Sequence, residues 1–287
     1  MKPIVKYQGG KTRELPLIKS LLPRKYDTVL EPFCGGAAVS FALADRCILN
    51  DMNDALINMY RQVSNPQSFH EVFSHVNWLK TLEHDDLSVE YYKARDYING
   101  THVDPYTWAI SYITVRQLCF SGMERYNKAG KFNVPYGHYK KFSCNLDWNH
   151  MKFLHQSGSS IFHGDFERIF DMAGKNDFIF IDPPYLDRLG YAHGNDTLHE
   201  RLVSCMKKSK AKWLFIHSDN DFYRDALSDY HIFYKKFGYA QRFGKNKNHD
   251  AAQVSHMYVT NYEDDMTLHR VNNASLQTLL EPDRIEA

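Results

Sequence analysis

The 287-residue chain contains no run of about 18 apolar residues, the length a membrane-spanning helix needs. Met1-Lys2-Pro3 is not followed by an apolar signal core, so no secretory leader is expected. Its five cysteines (Cys34, Cys47, Cys119, Cys144 and Cys205) are odd in number and form no Cys-x-x-Cys pair. That disfavours a disulfide scaffold and a structural zinc site, and points to a reduced, intracellular protein. The fifteen histidines show no His-Glu-x-x-His or comparable ligand spacing, so no metal is expected. There is no Gly-x-Gly-x-x-Gly and no phosphate-binding P-loop, which argues against a dehydrogenase and against phosphoryl transfer. Net charge is only +1, so no global field announces a nucleic-acid partner and charge must be examined locally. No internal repeat or low-complexity tract stands out. A soluble, cytoplasmic protein without a membrane partner is the expectation.

What is present suits a sizeable core: 43% of residues are hydrophobic and 14% aromatic. The length fits one large domain, or a domain with a substantial insertion. One stretch organises the rest, Asp177-Phe178-Ile179-Phe180-Ile181-Asp182-Pro183-Pro184-Tyr185. A short apolar run rich in β-branched and aromatic residues reads as a buried strand. Proline cannot continue a central ladder, so the strand must stop at Asp182. A carboxylate, a stiff turn and an aromatic ring then stand at the carboxyl end of a strand, where open α/β sheets bind ligands.

Towards the amino terminus, Lys6-Tyr7-Gln8-Gly9-Gly10-Lys11-Thr12 offers two adjacent glycines that let backbone approach a ligand, and Lys11 could neutralise a carboxylate. Leu15, Ile18, Leu21 and Leu22 recur at helical spacing before Pro23. A strand from Thr28 ends in Glu31, followed by Pro32-Phe33-Cys34-Gly35-Gly36 and a small-residue helix start. A second strand, Cys47–Asp51, also ends in an acid suited to ribose hydroxyls. These features in register suggest a pocket for an adenosine-type cofactor. Later strands are expected at Ser160–Phe166, ending in the acid–aromatic pair Asp165-Phe166, and at 212–218, 231–234 and 255–260.

Between residues 53 and 150 the strand–helix alternation breaks. Ala55 to Val63, Phe69 to Leu79, Glu90 to Tyr97 and Tyr106 to Leu118 read as helices of an insertion. The insertion ends in a stretch, Phe120 to Lys141, that alternates aromatics with cations around a hairpin tip at Lys128-Ala129-Gly130. From Arg125 to Lys152 six cations (Arg125, Lys128, Lys131, Lys140, Lys141, Lys152) face Asp147 alone. Such interleaving suits phosphate contacts together with base contacts. Residues 235–249 form a second basic patch and residues 263–287 an acidic tail that hides these patches from the net charge. Residues 190–196 are a candidate lid.

In their order along the chain, Lys6–Lys11, Glu31–Gly36, Asn50-Asp51, Ser121–Lys141, Asp165-Phe166 and Asp182–Tyr185 resemble the Dam-type, class α, N6-adenine DNA methyltransferases, a family that includes restriction-associated modification enzymes. Arg125-Tyr126-Asn127 followed by Phe132-Asn133-Val134-Pro135 is especially telling. The resemblance implies a Rossmann-like methyltransferase sheet with a reversed final hairpin, and an inserted, mainly helical DNA-recognition domain bearing a β-hairpin. On this reading residues 1–53 and 151–287 form the catalytic domain and residues 54–150 recognise the target. It further implies S-adenosylmethionine as cofactor, surrounded by Tyr7, Lys11, Phe33, Gly35, Asp51, Asp165 and Phe166, with Asp182 alongside. Tyr7 stands where Dam commonly has Trp, Phe120-Ser121 where Dam often has Tyr-Asn, and His138 replaces an Arg of close Dam relatives.

For catalysis, Asp182 and the Pro183 carbonyl could each accept one N–H of a target adenine's amine, while Tyr185 stacks on the base. For recognition, Arg125 is the first candidate to grip a guanine through O6 and N7 in double-stranded DNA. Lys6, Met123, Asn127 and Pro135 follow by family position, Phe120 and Ser121 at the site of the extruded base, and Lys140 and Lys141 as backbone contacts. A GAT-containing palindrome, GATC first, is the expected target, with a cognate restriction endonuclease as a further partner. Two alternatives stay open at this point: amino-methylation of RNA or of cytosine N4, and a non-catalytic DNA-binding protein of the same fold.

Overall fold

The computed structural model describes residues 1–100, 104–156, 158–186, 196–239 and 252–263. Most of the expected lid, Arg242, Lys245 and Lys247 of the second basic patch, and the acidic tail past residue 263 lie outside the described residues. In chain order the elements are α1 (Leu15–Leu21), β1 (Val29–Glu31), α2 (Ala38–Leu43), β2 (Cys47–Asp51), α3 (Asp54–Ser64), α4 (Pro66–Leu79), α5 (His84–Ile98) and α6 (Pro105–Leu118). Then come α7 (Trp148–His155), β3 (Ser160–His163), α8 (Glu167–Met172), β4 (Phe178–Ile181), α9 (Asp196–Lys208), β5 (Lys212–Ser218), α10 (Asp221–Ala226), β6 (His231–Tyr239) and β7 (Ala252–Thr260). Short 3-10 turns occupy Lys11–Arg13 and Phe120–Gly122.

Among the described residues seven strands occur, in the order β3-β2-β1-β4-β5-β7-β6. β4 pairs in parallel with β1 and with β5, whereas β7 is antiparallel to both β5 and β6. This is the Rossmann-like sheet with a reversed final hairpin that the resemblance implies. All four residues of β4 are buried. A strand with parallel neighbours on both sides is covered on both faces, so its side chains need no polar alternation.

Two compact units divide the chain. The first comprises Met1–Arg13 and Phe33–Phe166, the second Glu14–Pro32 and the described residues from Glu167 onward. Within the first, β2 and β3 pair in parallel with Asp51 opposite His163. α3 to α7 pack through one apolar cluster in which Leu56, Tyr60, Val72, Tyr91, Ile113 and Leu118 are wholly or almost wholly buried. Local chemistry starts these helices. The Asn53 side chain accepts from Leu56 N–H, Asn65 from Gln67 N–H and Asp104 from Thr107 N–H, and Pro66 and Pro105 occupy first helical positions. Asp147 and His150 form a reciprocal cap on α7, a helix that the sequence pattern did not suggest.

Within the second unit, Val29, Leu30, Trp213 to Ile216 and Met257 to Val259 are fully buried. The buried carboxylate of Glu14 accepts from Tyr258 Oη–H and lies 3.1 Å from His256 Nδ1. Among the described residues no helix is long and apolar enough to cross a membrane, and no cluster of three potential metal ligands occurs.

Candidate active site

In the first unit the site is built around Asp51. It stands at the carboxyl end of β2, and each of its carboxylate oxygens takes a backbone N–H: Gly35 to Oδ2 and Asn53 to Oδ1, both at 2.9 Å. Burial pushes the Asp51 carboxyl up from the ordinary value, and these backbone hydrogen bonds oppose the shift by favouring the charged form. The β2–β3 pairing brings the loop after β3 to the same end. Gly164 N–H donates to the Asp51 carbonyl at 3.2 Å, and Asn50 Nδ2 donates to the Gly164 carbonyl at 2.9 Å. That loop carries Asp165, which is exposed, and Phe166, whose ring lies 5.2 Å from that of Phe33 between centroids. Residues more than 110 positions apart in sequence thus meet at the end of β2.

The amino-terminal loop folds onto this end of the unit. Gly10 N–H closes a turn on the Tyr7 carbonyl at 3.1 Å, and Lys11 Nζ, buried, donates to the Gly9 carbonyl at 2.9 Å. The Tyr7 ring lies against the backbone of Gly35. A Cβ there would come within 2.8 Å of the ring, and Gly35 adopts φ +44°. Burial, reinforced by the nearby Asp51 charge, pushes the Tyr7 hydroxyl well up, so it stays a neutral phenol. Glu31 is buried, at the end of β1 in the second unit.

The Phe120 to Lys141 segment also belongs to the first unit. Its tip is a tight turn: Tyr126 bridges Phe132 in antiparallel fashion, and Asn127 N–H donates to the Lys131 carbonyl at 2.9 Å. Asn127 Oδ1 accepts from Ala129 and Lys131 N–H, so this side chain organises the turn. Gly130 holds φ +71°, a conformation glycine adopts freely. Arg125 is exposed and braced across the turn, with Nε on Asn133 Oδ1 at 2.8 Å and Nη2 on the Asn133 carbonyl at 3.0 Å. Among the described residues Nη1 has no such contact. Lys6 Nζ donates to the Gln117 carbonyl at 2.8 Å and lies 3.8 Å from the Tyr139 ring centre. Ser121 takes φ +54°, unusual for a residue with a Cβ. Met123 is half-buried; Phe120, Pro135, Lys140 and Lys141 are exposed.

In the second unit, Asp182-Pro183-Pro184-Tyr185 follows β4 directly, as the strand-stopping prolines require. Asp182 and Tyr185 are half-buried and Pro183 is buried. The Tyr185 ring leans on His217, 4.7 Å between centroids, and meets His256 edge-on at 5.6 Å. Leu186 N–H donates to His217 Nε2 at 3.3 Å. The other ring nitrogen, Nδ1, lies 2.8 Å from the Ser218 carbonyl and 2.9 Å from Asn220 Nδ2. His217 therefore fixes the loop from behind.

Sequence reasoning missed His217, and it missed Arg116, Glu124 and Asn53. Arg116 is 1% exposed, and its guanidinium donates to the carbonyls of Lys6, Gly122 and Met123. A signal existed: a lone arginine within the apolar stretch of α6 must find partners or it would not be buried.

Residues 7–241 match the family model for D12 class N6 adenine-specific DNA methyltransferases. Among curated proteins, the chain is 33% identical over 273 residues to the Type II methyltransferase M.CviBI of Paramecium bursaria Chlorella virus NC1A, covering 91% of this chain and 100% of the relative. It is 30% identical over 282 residues to the Type II methyltransferase M1.LlaDCHI of Lactococcus lactis subsp. cremoris, covering 91% and 96%. A DNA adenine methylase of Haemophilus influenzae is 30% identical over 244 residues, with 79% of this chain and 83% of the relative covered.

Proposed function

The chain belongs to the D12 class of N6 adenine-specific DNA methyltransferases, and from that membership we propose that it moves the methyl group of S-adenosylmethionine onto N6 of an adenine extruded from a short double-stranded site. Membership also removes the readings as an RNA or cytosine-N4 methyltransferase and as a non-catalytic DNA binder. The observation that carries the proposal is the Asp182–Tyr185 loop, set at the end of a fully buried strand with its aromatic ring backed by His217.

Adenine's exocyclic nitrogen is a weak nucleophile, because its lone pair is delocalised into the ring. The Asp182 carboxylate and the Pro183 carbonyl each accept one N–H of that amine. Held this way, the nitrogen is free to become pyramidal and to aim its lone pair in line. Proline fixes φ and so fixes the direction of the carbonyl. Tyr185 gives the extruded base a face to stack on, and His217 keeps that face in place. Positioning supplies the catalytic effect.

The first unit's residues fit the cofactor. Asp51 spends one lone pair per oxygen on backbone N–H groups and keeps others for ribose hydroxyls. Phe33 and Phe166 offer flat apolar surface for an adenine, Gly35 an open backbone, and Lys11 a cation for a carboxylate, with Asp165 as a further polar neighbour. When bound, the sulfonium centre supplies an activated methyl group, so no metal is required.

Residues 54–150 are the proposed target-recognition segment. Arg125 reads a guanine, with Lys6, Met123, Asn127 and Pro135 around it, Phe120 and Ser121 at the vacated stack, and Lys140 and Lys141 on phosphates. A GAT-containing palindrome, GATC first, is the proposed site. The Type II names of two relatives support a cognate restriction endonuclease as partner.

Expression in a methylation-free host, followed by single-molecule mapping of N6-methyladenine, tests the whole reading. Marks at one short palindrome are expected, and background-level marks would refute it. Asp182→Ala should abolish transfer in a tritiated-methyl assay, by at least about 100-fold if it loses a positioned acceptor, while the melting profile stays wild-type. Near-normal turnover in that variant would remove Asp182 from the mechanism.

A further inference from the structure

Glu124 occupies a place that the catalytic reading does not use. It directly precedes Arg125, and its side chain is 13% exposed. Oε1 accepts from Tyr126 Oη–H at 3.0 Å and from Asn53 Nδ2 at 3.2 Å. Oε2 lies 3.4 Å from Arg116 Nη1. Its backbone N–H donates to Gln8 Oε1 at 3.2 Å, in the amino-terminal loop. The orientation of the Asn53 amide is settled by its other end. Oδ1 is needed as acceptor for Leu56 N–H at the start of α3, so Nδ2 must be the group that faces Glu124.

Asn53 is joined to the cofactor acid as well, since its backbone N–H donates to Asp51 Oδ1. An unbroken chain therefore runs from Asp51 through Asn53 and Glu124 to Tyr126, the residue after the guanine reader. Every link lies within the first compact unit. Arg116 holds the other side of the same arrangement. It clasps the Lys6 carbonyl and the Gly122 and Met123 carbonyls with one guanidinium, which lies 5.4 Å from the Tyr7 ring centre. The loop that carries Tyr7 and the turn that carries Arg125 are thus pinned together by the Arg116 guanidinium and by Gln8, whose side chain accepts from Glu124 N–H.

We infer that Glu124 is a positioning residue that joins the target-reading turn to the cofactor acid, so that S-adenosylmethionine and cognate DNA each tighten the binding of the other. The inference rests on the proposed function and extends it. A ribose held by Asp51 restrains Asn53; Asn53 restrains Glu124; Glu124 sets Tyr126 and with it the backbone that presents Arg125. Coupling between two ligands is reciprocal, so a guanine held by Arg125 must favour cofactor binding by the same factor. The bridge depends on an oxygen acceptor at Oε1, not on charge. Glutamine retains that oxygen and alanine does not.

The test is calorimetric. The dissociation constant of S-adenosylmethionine is measured with and without saturating cognate duplex, using a hairpin oligonucleotide that carries the mapped site. The wild-type chain is expected to show coupling of about fivefold or more. Glu124→Ala should bring that factor to near one while the dissociation constant without DNA moves by less than the coupling factor. Glu124→Gln should keep the coupling. Discrimination between the cognate duplex and one changed at the guanine should fall in Glu124→Ala and persist in Glu124→Gln. Amide hydrogen exchange along α6 checks that Glu124→Ala is folded.

Wild-type coupling retained in Glu124→Ala overturns the inference, as does a wild-type factor of one with both ligands bound. Equal loss in both variants overturns it in favour of a simple counter-ion for Arg116. A wild-type chain that binds no S-adenosylmethionine brings down the functional proposal and this inference together. A chain that binds both ligands independently brings down this inference alone.

Discussion

At the scale of single residues, Gly35 shows how closely the candidate site constrains its composition. It combines φ +44° with a side-chain position already filled by the Tyr7 ring. A methyl group there meets the ring at 2.8 Å and sits on a backbone that alanine occupies at a cost of about 1–2 kcal/mol. Tyr7 must then swing away, and the N–H that holds Asp51 Oδ2 shifts with the backbone. Gly35→Ala is therefore expected to weaken S-adenosylmethionine binding by at least tenfold (about 1.4 kcal/mol) and to lower the melting temperature. Calorimetry and a thermal melt check both, and unchanged affinity would remove the Gly35–Tyr7 contact from the cofactor's surroundings. Asp51, Gly35 and Lys11 were visible in the sequence because strand-ending acids, paired glycines and a following cation are local patterns. Glu124 and Arg116 were not, because their partners are distant in the chain: Asn53 lies 71 residues from Glu124, and Lys6 lies 110 from Arg116. His217 looked like one more strand residue. Only the fold shows that its Nε2 receives the N–H that follows Tyr185.

At the scale of elements, the turn at residues 125–133 is anchored independently of the Arg125 side chain, since Phe132 exchanges two hydrogen bonds with the Asn99 side chain. The Arg125 side chain bonds Asn133 across the turn, and the turn itself is closed by Asn127, Gly130 and Lys131. Removing the arginine head should leave the element standing. Arg125→Ala is expected to relax discrimination at one base pair by about 1–3 kcal/mol, with other positions unaffected. Competition binding against duplexes changed one pair at a time measures this. A uniform loss over all sequences would make Arg125 a phosphate contact instead. The strands and most helices were largely legible. The seven strands stand where alternating or continuous apolar runs meet glycine, proline or acids, and β4 stops at its prolines because they cannot extend the ladder. The helices from α3 to α6 follow their apolar spacing. What the pattern did not convey was α7, eight residues long, whose start depends on the reciprocal Asp147–His150 cap and not on periodicity. It also did not convey how short the pairing around the turn at residues 125–133 is, since aromatic–cation alternation suggests a longer ladder than the two isolated bridges, Cys119–Tyr136 and Tyr126–Phe132.

At the scale of the whole molecule, a net charge of +1 conceals how unevenly charge is distributed. Six cations against one acid lie between Arg125 and Lys152, while residues 263–287 carry six acids against two arginines. A protein that binds DNA through such a patch responds to the patch and not to its net charge, because screening confines each contact to about 8 Å at physiological salt. Each phosphate that is neutralised releases condensed counterions, so the logarithm of the binding constant falls with the logarithm of salt by about 0.9 per contact. Lys140 and Lys141 are adjacent, exposed and outside the braced turn, so they suit backbone contacts better than base contacts. The double change Lys140→Gln with Lys141→Gln should reduce that slope by up to about 1.8 if each lysine neutralises one phosphate. Discrimination between cognate and altered duplexes should stay at the wild-type value, since neither lysine is asked to read a base. Fluorescence anisotropy across a salt series gives the slope, and the same titrations on altered duplexes give the discrimination. A wild-type slope in the double variant would move the phosphate contacts to Lys128, Lys131 or Lys152. A lost discrimination with an unchanged slope would turn Lys140 and Lys141 into readers of sequence.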